Sequence, residues 1–246
     1  AWLVFRSGRT VAIAGSLDVA AIEAAGRYRE VVPYLQGIGP DLLRVLDEHR
    51  PRAIAINYST DSATADGLTH GMYLQLTRYL EGTPYASRLV SAEAVIAALR
   101  GRKTRQEVAR IKKAIALTLD IFDAVTGYLA PGRTEQDVAR FILRQVKAHG
   151  VELAWSEEHC PAVFTGPDHA GAHFGPTARR IERGHVLNID FGVKVDGYCS
   201  DLQRTWYIAR KGETKAPREV QHGFRVIRDA IRLAADAMAP GAVSWT

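Results

Sequence analysis

A predicted β-hairpin in residues 186–208 (VLNIDFGVKVDGYCSDLQRTWYI) carries the residue types with the clearest chemical potential. Two β-prone apolar runs flank Asp196-Gly197, a dipeptide typical of a two-residue type I′ turn. With this dipeptide as the turn, Val195 pairs with Tyr198 and the two strands run outward in register. The turn therefore predicts which side chains share a face of the hairpin.

Asp190 and Asp201 lie on one face of this predicted hairpin, as diagonal neighbours about 7–8 Å apart at the backbone. Gly192 lies directly opposite Asp201, and we expect it to leave open space where a side chain would otherwise stand. Two carboxylates in this arrangement could share one cation or bridge two. A one-residue bulge would move one aspartate to the other face, so the geometry depends on the turn.

The two aspartates could also be solvent-facing acids on the polar side of an ordinary hairpin. The first strand argues against this, since it is apolar at nearly every position: Val186, Leu187, Ile189, Phe191, Val193 and Val195. Such a run predicts a strand that is buried on both faces. A buried carboxylate requires a cation or hydrogen bonds to offset its desolvation, so we predict that Asp190 and Asp201 are metal ligands.

The segments IDFG, GYCSD and RTW, with the aspartates eleven positions apart, resemble the metal-binding hairpin of the creatinase/methionine aminopeptidase superfamily. The likeness is closest to Xaa-Pro aminopeptidases and prolidases. It implies an α/β N-terminal domain of the creatinase N-terminal type, followed by the first half of an α+β pita-bread catalytic domain. We assign residues 1–90 to the N-terminal domain, 91–102 to a linker helix and 103–246 to the incomplete catalytic domain.

The resemblance also implies a metal site with five protein ligands: two Asp, one His and two Glu. Asp190 and Asp201 match two of them, and we expect the other three beyond Thr246, so that the chain alone is an inactive fragment. Such a site holds two divalent cations in a cage mostly of oxygens, which suits Mn²⁺ and also admits Co²⁺, Fe²⁺ or Zn²⁺. Glu219 and His222 have the spacing of a ligand pair on a helix, but we interpret them as a solvated polar stripe.

His173, in the segment AGAHFGPT, lies seventeen residues before Asp190. That position resembles the family's substrate-side histidine, which contacts the scissile peptide and helps to handle protons. We therefore predict that His173 is catalytic, the alternative being an ordinary loop histidine. His169 and His159 compete for the same role less well.

The resemblance implies a metal-dependent exopeptidase that hydrolyses the peptide bond before proline with a metal-activated hydroxide. As an Xaa-Pro aminopeptidase or dipeptidase, it would act on small peptides with proline at the second position. A creatinase-type amidinohydrolase on the same scaffold is an alternative, although creatinases work without metal and lack the aspartate pair. A non-catalytic relative that binds peptides or proteins is a third interpretation. Family members with this N-terminal domain are commonly homodimers, so we expect a homodimer.

Composition argues against several other classes. The net charge of +5 is spread along the chain without a basic run, so we expect no nucleic-acid partner. No apolar stretch is long enough to span a bilayer, so we expect no membrane partner. Cys160 and Cys199 lack a CxxC or zinc spacing, which indicates a reducing, cytoplasmic compartment and two small buried packing residues.

Periodicity and capping residues predict the remaining elements. We expect strands at Thr10–Ala14, Val31–Leu35 and Ala53–Asn57, the last of a buried type. We expect helices at Asp41–His49, Thr69–Leu80, Ser91–Arg100 and Pro217–Ala239, the third of them begun by a Ser cap. Two further helices begin after Thr104, which forms a capping box with Glu107, and at Thr134.

Overall fold

The first unit of the chain is built on a strand that is apolar along most of its length. β2 (Thr10–Gly15, TVAIAG) is buried at its four central positions and lies between β1 (Trp2–Val4) and β3 (Glu30–Tyr34). β1 runs antiparallel to β2, and β3 runs parallel to it. The computed structural model describes residues 1–167, 175–239 and 242, and the chain divides into two units, Ala1–Arg102 and Lys103–Thr246.

Helices and a second, two-stranded parallel sheet complete the first unit. In chain order they are α1 (Val19–Ala24), α2 (Gly39–His49), β4 (Ile54–Ile56), α3 (His70–Leu80), β5 (Leu89–Ser91) and α4 (Glu93–Gly101). The core of the unit joins the first sheet to α2 and to the end of α3, through Val11, Ile13, Val32, Leu42, Val45, Leu46, Leu80 and Tyr85. This arrangement of strands and helices is the α/β type that the sequence predicts.

Two local predictions in this unit are wrong. The strand within Ala53–Asn57 is not of the buried type, because Ala55 at its centre is exposed. Ser91 does not begin α4, because sheet pairing keeps it in β5 and Ala92 is the N-cap. The Ser91 hydroxyl oxygen still accepts a hydrogen bond from the amide of Glu93, at 3.1 Å, so it satisfies one free amide of the first turn.

Two long helices open the second unit, and each begins with a capping box. α5 (Arg105–Tyr128) is capped by Thr104, whose hydroxyl accepts from the amide of Glu107 while the Glu107 carboxylate accepts from the amide of Thr104. α6 (Glu135–Ala148) is capped by Thr134 in the same way. Reciprocal bonds of this kind satisfy two amides that the helix itself leaves unpaired, and both starts are confirmed.

Two small antiparallel sheets follow α6, and the predicted hairpin contributes to both. Their strands are β6 (Glu152–Leu153), β7 (Ala162–Thr165), β8 (Val186–Phe191), β9 (Val193–Val195), β10 (Tyr198–Cys199) and β11 (Leu202–Tyr207). One sheet has the order β7-β8-β11 and the other has the order β6-β9-β10. The hairpin therefore crosses from one sheet to the other between β8 and β9.

The core of the second unit packs α5 and α6 against the buried faces of these sheets. Its largest fully buried side chains include Phe191, Ile121, Ile142, Ile181, Leu187 and Ile189. Phe122 on α5 meets Phe191 at the end of β8 edge-to-face, with the ring centroids 5.9 Å apart. Contacts of this geometry add to the apolar burial that fixes the hairpin on the helix.

α7 (Arg218–Ala237) ends the described part of this unit and has no buried residue. Phe224, Ile227 and Ile231 recur at helical spacing and are 58%, 62% and 63% exposed. The predicted helix is confirmed, and its apolar side chains are not covered by the described residues. Among those residues no helix is both long and apolar enough to cross a bilayer.

Candidate metal centre

The hairpin turn has the geometry that its two residues favour. Asp196 has φ of 50° and Gly197 has φ of 82°, and a type I′ turn requires positive φ at both central positions. Val195 pairs with Tyr198 across the turn, as predicted. The turn therefore sets the register of both strands.

That register continues past the point where the hairpin changes sheets. Val195 pairs with Tyr198, and further along Phe191 pairs with Leu202. From the first pair to the second, each strand advances by the same four residues, so neither carries a bulge. Asp190 and Asp201 therefore remain on the same face of the hairpin.

Gly192 lies at the change of sheet and is required there for a reason that differs from the prediction. A Cβ at this position would lie 2.0 Å from the carbonyl oxygen of Ser200, so the space beside Gly192 is filled by backbone rather than open. The carbonyl oxygen of Gly192 accepts a hydrogen bond from the amide of Ala154 at 3.0 Å. The two strands thus approach one another closely between the aspartates.

β8 is buried on one face only, which corrects the prediction of burial on both. Leu187, Ile189 and Phe191 are fully buried, whereas Asn188 and Asp190 between them are half-buried. The apolar residues follow the period of two, and the opposite face carries the polar side chains. Asp190 therefore lies on a partly open face.

One carboxylate oxygen of Asp190 accepts a hydrogen bond, and the other has no partner among the described residues. Gln203, its direct partner across the strands, donates from Nε2 to Asp190 Oδ2 at 3.0 Å. Asp190 Oδ1 is buried and has no hydrogen-bond partner among the described residues. A buried carboxylate oxygen without a partner is costly unless a ligand satisfies it.

Asp201 lies next to Asp190 and is exposed, so the predicted burial of the carboxylates does not hold for it. The pKa of Asp201 is raised, first because its carboxyl is partly desolvated, and then because the negative charge of Asp190 and a hydrogen bond to that residue favour the protonated form. A second carboxylate close to the first is electrostatically unfavourable in the absence of a cation. The structure therefore brings the two predicted ligands together on one face of the hairpin.

The other predicted residues are not part of this pair. His173 and His169 lie outside the described residues. His159 is exposed, and its carbonyl oxygen accepts a hydrogen bond from Trp155 Nε1. Glu219 and His222 lie on α7, where no residue is buried, so their placement agrees with a polar stripe.

The two cysteines differ in burial. Cys160 is fully buried, which agrees with a packing role, and its thiol lies 3.6 Å from the carbonyl oxygen of Gly192. Cys199 is exposed, so the prediction of a small buried side chain is wrong at this position. The reason is that β10 is a two-residue edge strand beside the turn.

The carboxylate pair fits a divalent cation. Hard cations are bound by carboxylate oxygens, and Asp190 Oδ1 is an acceptor that the described residues do not use. Within residues 1–167, 175–239 and 242, no group of three or more His, Cys, Asp or Glu side chains is placed to hold a metal. Among the described residues, Asp190 and Asp201 could therefore supply only part of such a site.

Sequence comparison decides the family. The model of metallopeptidase family M24 matches residues 109–246, more than half of the chain. The chain belongs to metallopeptidase family M24. The resemblance to the creatinase/methionine aminopeptidase superfamily, near the Xaa-Pro peptidases, is thereby confirmed.

Individual M24 relatives agree with this assignment. A Mycoplasma pneumoniae protein provisionally named an Xaa-Pro aminopeptidase is 32% identical over 114 residues, which cover 46% of this chain and 31% of that protein. An uncharacterized peptidase of Staphylococcus aureus is 26% identical over 242 residues, which cover 98% of this chain and 62% of the relative. The chain thus spans less than two thirds of either relative.

The fold is also shared with a solved structure. The Xaa-Pro dipeptidase of Bacillus anthracis superposes with a TM-score of 0.67 over 94% of this chain and 59% of that one, at 20% identity. At this identity the similarity is one of fold. Each unit of this M24 chain therefore has a known arrangement of strands and helices.

Proposed function

We propose that this M24 chain belongs to a metal-dependent exopeptidase that hydrolyses the peptide bond before proline, as an Xaa-Pro aminopeptidase or dipeptidase. The observation that carries the proposal is the pairing of Asp190 and Asp201 on one face of the hairpin, with a buried oxygen of Asp190 left unpartnered by the described residues. The relatives named as Xaa-Pro peptidases support the choice of substrate. The substrates are therefore small peptides with proline at the second position.

Asp190 and Asp201 would hold two divalent cations, with Mn²⁺ as the first candidate and Co²⁺, Fe²⁺ or Zn²⁺ as alternatives. When bound, such cations supply Lewis acidity and lower the pKa of a bound water to near neutrality. Gln203 orients Asp190 by donating to Oδ2, which leaves Oδ1 without a partner among the described residues and available to a cation. The pKa of Asp201 is raised first by partial desolvation and then by the negative charge of Asp190, and a bound cation would relieve the repulsion between the two carboxylates.

His173 completes the proposed set of residues in this chain. We assign to it the contact with the scissile peptide and the handling of a proton, on the basis of its position seventeen residues before Asp190. An imidazole side chain can act as a general base and as a general acid. The remaining ligands, one His and two Glu, are proposed to lie outside these 246 residues.

The finer architecture is part of the same proposal. Residues 1–90 form a creatinase-type N-terminal domain, residues 91–102 a linker, and residues 103–246 the first half of a pita-bread domain. A homodimer in the cytoplasm is the assembly expected for such a peptidase. Apolar side chains exposed on α7, such as Ile227 and Ile231, are consistent with a surface that further chain would cover.

Peptide hydrolysis by the full-length protein tests the proposal. Ala-Pro, Ala-Pro-Ala and Ala-Ala-Ala are incubated with and without Mn²⁺, and release of the N-terminal alanine is measured. We expect Mn²⁺-dependent cleavage of one or both proline peptides, little cleavage of Ala-Ala-Ala, and loss of activity in Asp201→Asn. Metal-independent cleavage, or equal cleavage of all three peptides, would contradict the proposal.

A further inference from the structure

We propose that Thr118, on α5, is a positioning residue for the carboxylate pair and acts through Ser200. The inference rests on the proposed function, since it concerns the same two aspartates. Thr118 and Ser200 are both fully buried, at 0% and 2% exposure, and their hydroxyl oxygens lie 2.7 Å apart. A helix side chain therefore contacts the hairpin beside Asp201.

Ser200 and Asp201 occupy the short gap between two strands of the hairpin, where one backbone hydrogen bond, from the amide of Ser200 to the carbonyl of Val193, continues the pairing. β10 ends at Cys199 and β11 begins at Leu202, so both residues lie between strands. Ladder hydrogen bonds hold the chain on either side of them. The orientation of Asp201 consequently depends on what holds Ser200.

The contacts of Ser200 form a connected set of hydrogen bonds. The amide of Val193 donates to Ser200 Oγ at 2.9 Å, and the amide of Ser200 donates to the carbonyl of Val193 at 3.0 Å. Thr118 Oγ1 donates to the carbonyl of Ala114 at 3.0 Å, which leaves its lone pairs free to accept from Ser200. The Ser200 hydroxyl can donate its single proton to Thr118 Oγ1 at 2.7 Å or to the carbonyl of Val193 at 3.2 Å. When it donates to Thr118, the hydrogen bonds run in one direction from the amide of Val193 through Ser200 and Thr118 to the carbonyl of Ala114.

This network lies where the backbones of the two strands are closely packed. The carbonyl oxygen of Ser200 occupies the place that a Cβ of Gly192 would take, so any movement of Ser200 shifts the closest approach of the two strands. Asp190 precedes Gly192 by two residues, and Asp201 follows Ser200 directly. Loss of the Thr118 hydroxyl therefore changes the geometry between the two carboxylates.

Thr126, two turns further along α5, provides a control that has the same hydrogen-bond pattern but is exposed. Its hydroxyl donates to the carbonyl of Phe122 at 2.9 Å, as Thr118 does to Ala114, and it accepts from Trp206 Nε1 at 3.0 Å. Trp206 lies near the far end of β11, where ladder pairing with Leu187 fixes the backbone. Both threonines link α5 to the hairpin, but only the link from Thr118 ends beside an aspartate.

The experiment is a Co²⁺ titration of the full-length protein, followed by the d–d absorption of the bound ion. We expect Thr118→Val to weaken Co²⁺ binding by about tenfold or more, the range for loss of a residue that orients a ligand, and to change the absorption band. Thr118→Ser, which keeps the hydroxyl, restores wild-type binding, and Thr126→Val binds like the wild type. Equal Co²⁺ affinity and an equal spectrum in Thr118→Val and Thr126→Val would overturn the inference.

Two further variants distinguish an error in the proposed metal site from a failure of Thr118→Val to fold. If Asp190→Asn binds Co²⁺ as tightly as the wild type, the proposed metal site itself is wrong and the role of Thr118 falls with it. If Thr118→Val does not fold, Ser200→Ala removes the same contact from the hairpin side and is titrated in its place, with the same weakening expected. Thermal unfolding measured in parallel shows whether an affinity change exceeds what a general loss of stability explains.

Discussion

Asp190 lies diagonally across the hairpin from Asp201 in a register that stays unbroken while the strands pass from one sheet to another. The pairs Val195–Tyr198 and Phe191–Leu202 fix this register on the two sides of the crossing. The pKa of Asp201 is raised by partial desolvation of its carboxyl and, after that, by the negative charge of Asp190. The proposed chemistry depends on these two aspartates, which lie where the hairpin passes from one sheet to the other.

We predict that Gly192→Ala lowers the free energy of unfolding by about 3 kcal/mol or more, because the new methyl group would meet the carbonyl oxygen of Ser200 at 2.0 Å. Backbone cannot move aside as a flexible side chain can. Gly127→Ala is the control, since Gly127 lies in α5 and a Cβ added there would have no neighbour within 4 Å. Urea denaturation should show that the control is neutral or stabilised by up to about 1 kcal/mol.

Glu135→Gln is predicted to destabilise the second unit by about 1–3 kcal/mol. Glu135 is only 2% exposed, and its carboxylate accepts from the amide of Thr165 at 2.9 Å and from both the amide and the hydroxyl of Thr177 at 2.9 and 2.6 Å. A neutral amide would turn a donor toward one of these donors. The same substitution at the exposed Glu157 should leave the unfolding midpoint unchanged. Equal midpoints for the two variants would contradict this role of Glu135.

Stability should fall with decreasing pH in part because of Glu107. Hydrogen bonds from the amide and hydroxyl of Thr104 and from the hydroxyl of Tyr198 lower its pKa from 4.5 to about 2. A carboxyl whose pKa is lower in the folded state stabilises the fold above about pH 4.5, and this contribution is lost as the pH falls toward 2. Unfolding free energies measured from pH 6 to pH 3 should therefore decline less steeply in Glu107→Gln than in the wild type.

Tyr198→Phe provides the intermediate case for the same measurement. It removes the bond of 2.8 Å from the Tyr198 hydroxyl to Glu107 while the capping box remains. The pH dependence should then lie between those of the wild type and Glu107→Gln. If the unfolding free energy declines equally with pH in all three proteins, Glu107 does not contribute to the loss of stability at low pH.

The exposed apolar face of α7 should promote self-association of these 246 residues expressed alone. Ile231, 63% exposed, is replaced by Glu, and His222, an exposed polar position on the same helix, is replaced by Glu as a control for charge. Light scattering at increasing concentration should show less association for Ile231→Glu and no change for His222→Glu. A monomeric wild-type chain at all concentrations would contradict the prediction.

Local signals in the sequence predict much of this fold. The Asp196-Gly197 dipeptide predicts the turn and the pairing of Val195 with Tyr198, because a two-residue loop determines its own register. Thr104 and Thr134 predict two helix starts, because a capping box is formed by residues three apart. The metal role of the aspartates and the catalytic role of His173 remain predictions.

Features set by distant contacts are the ones that sequence reasoning missed. Gly192 fits against Ser200 only once both strands are in place, so its role looked like open space. Gln203 becomes the partner of Asp190 through the register, and extending the predicted pairing by two residues would have found it. The burial of Glu135 depends on Thr165 and Thr177, which come from separate parts of the chain and carry no local signal.

The most direct test of the central claim is the number of Mn²⁺ ions bound by the full-length protein, counted by the loss of the free-ion signal in electron paramagnetic resonance. We predict two ions for the wild type and a loss of at least one in Asp190→Asn and in Asp201→Asn. Asp196→Asn makes the same chemical change in the exposed turn of the same hairpin and should bind as the wild type does. Unchanged Mn²⁺ binding in both Asp190→Asn and Asp201→Asn would contradict the account.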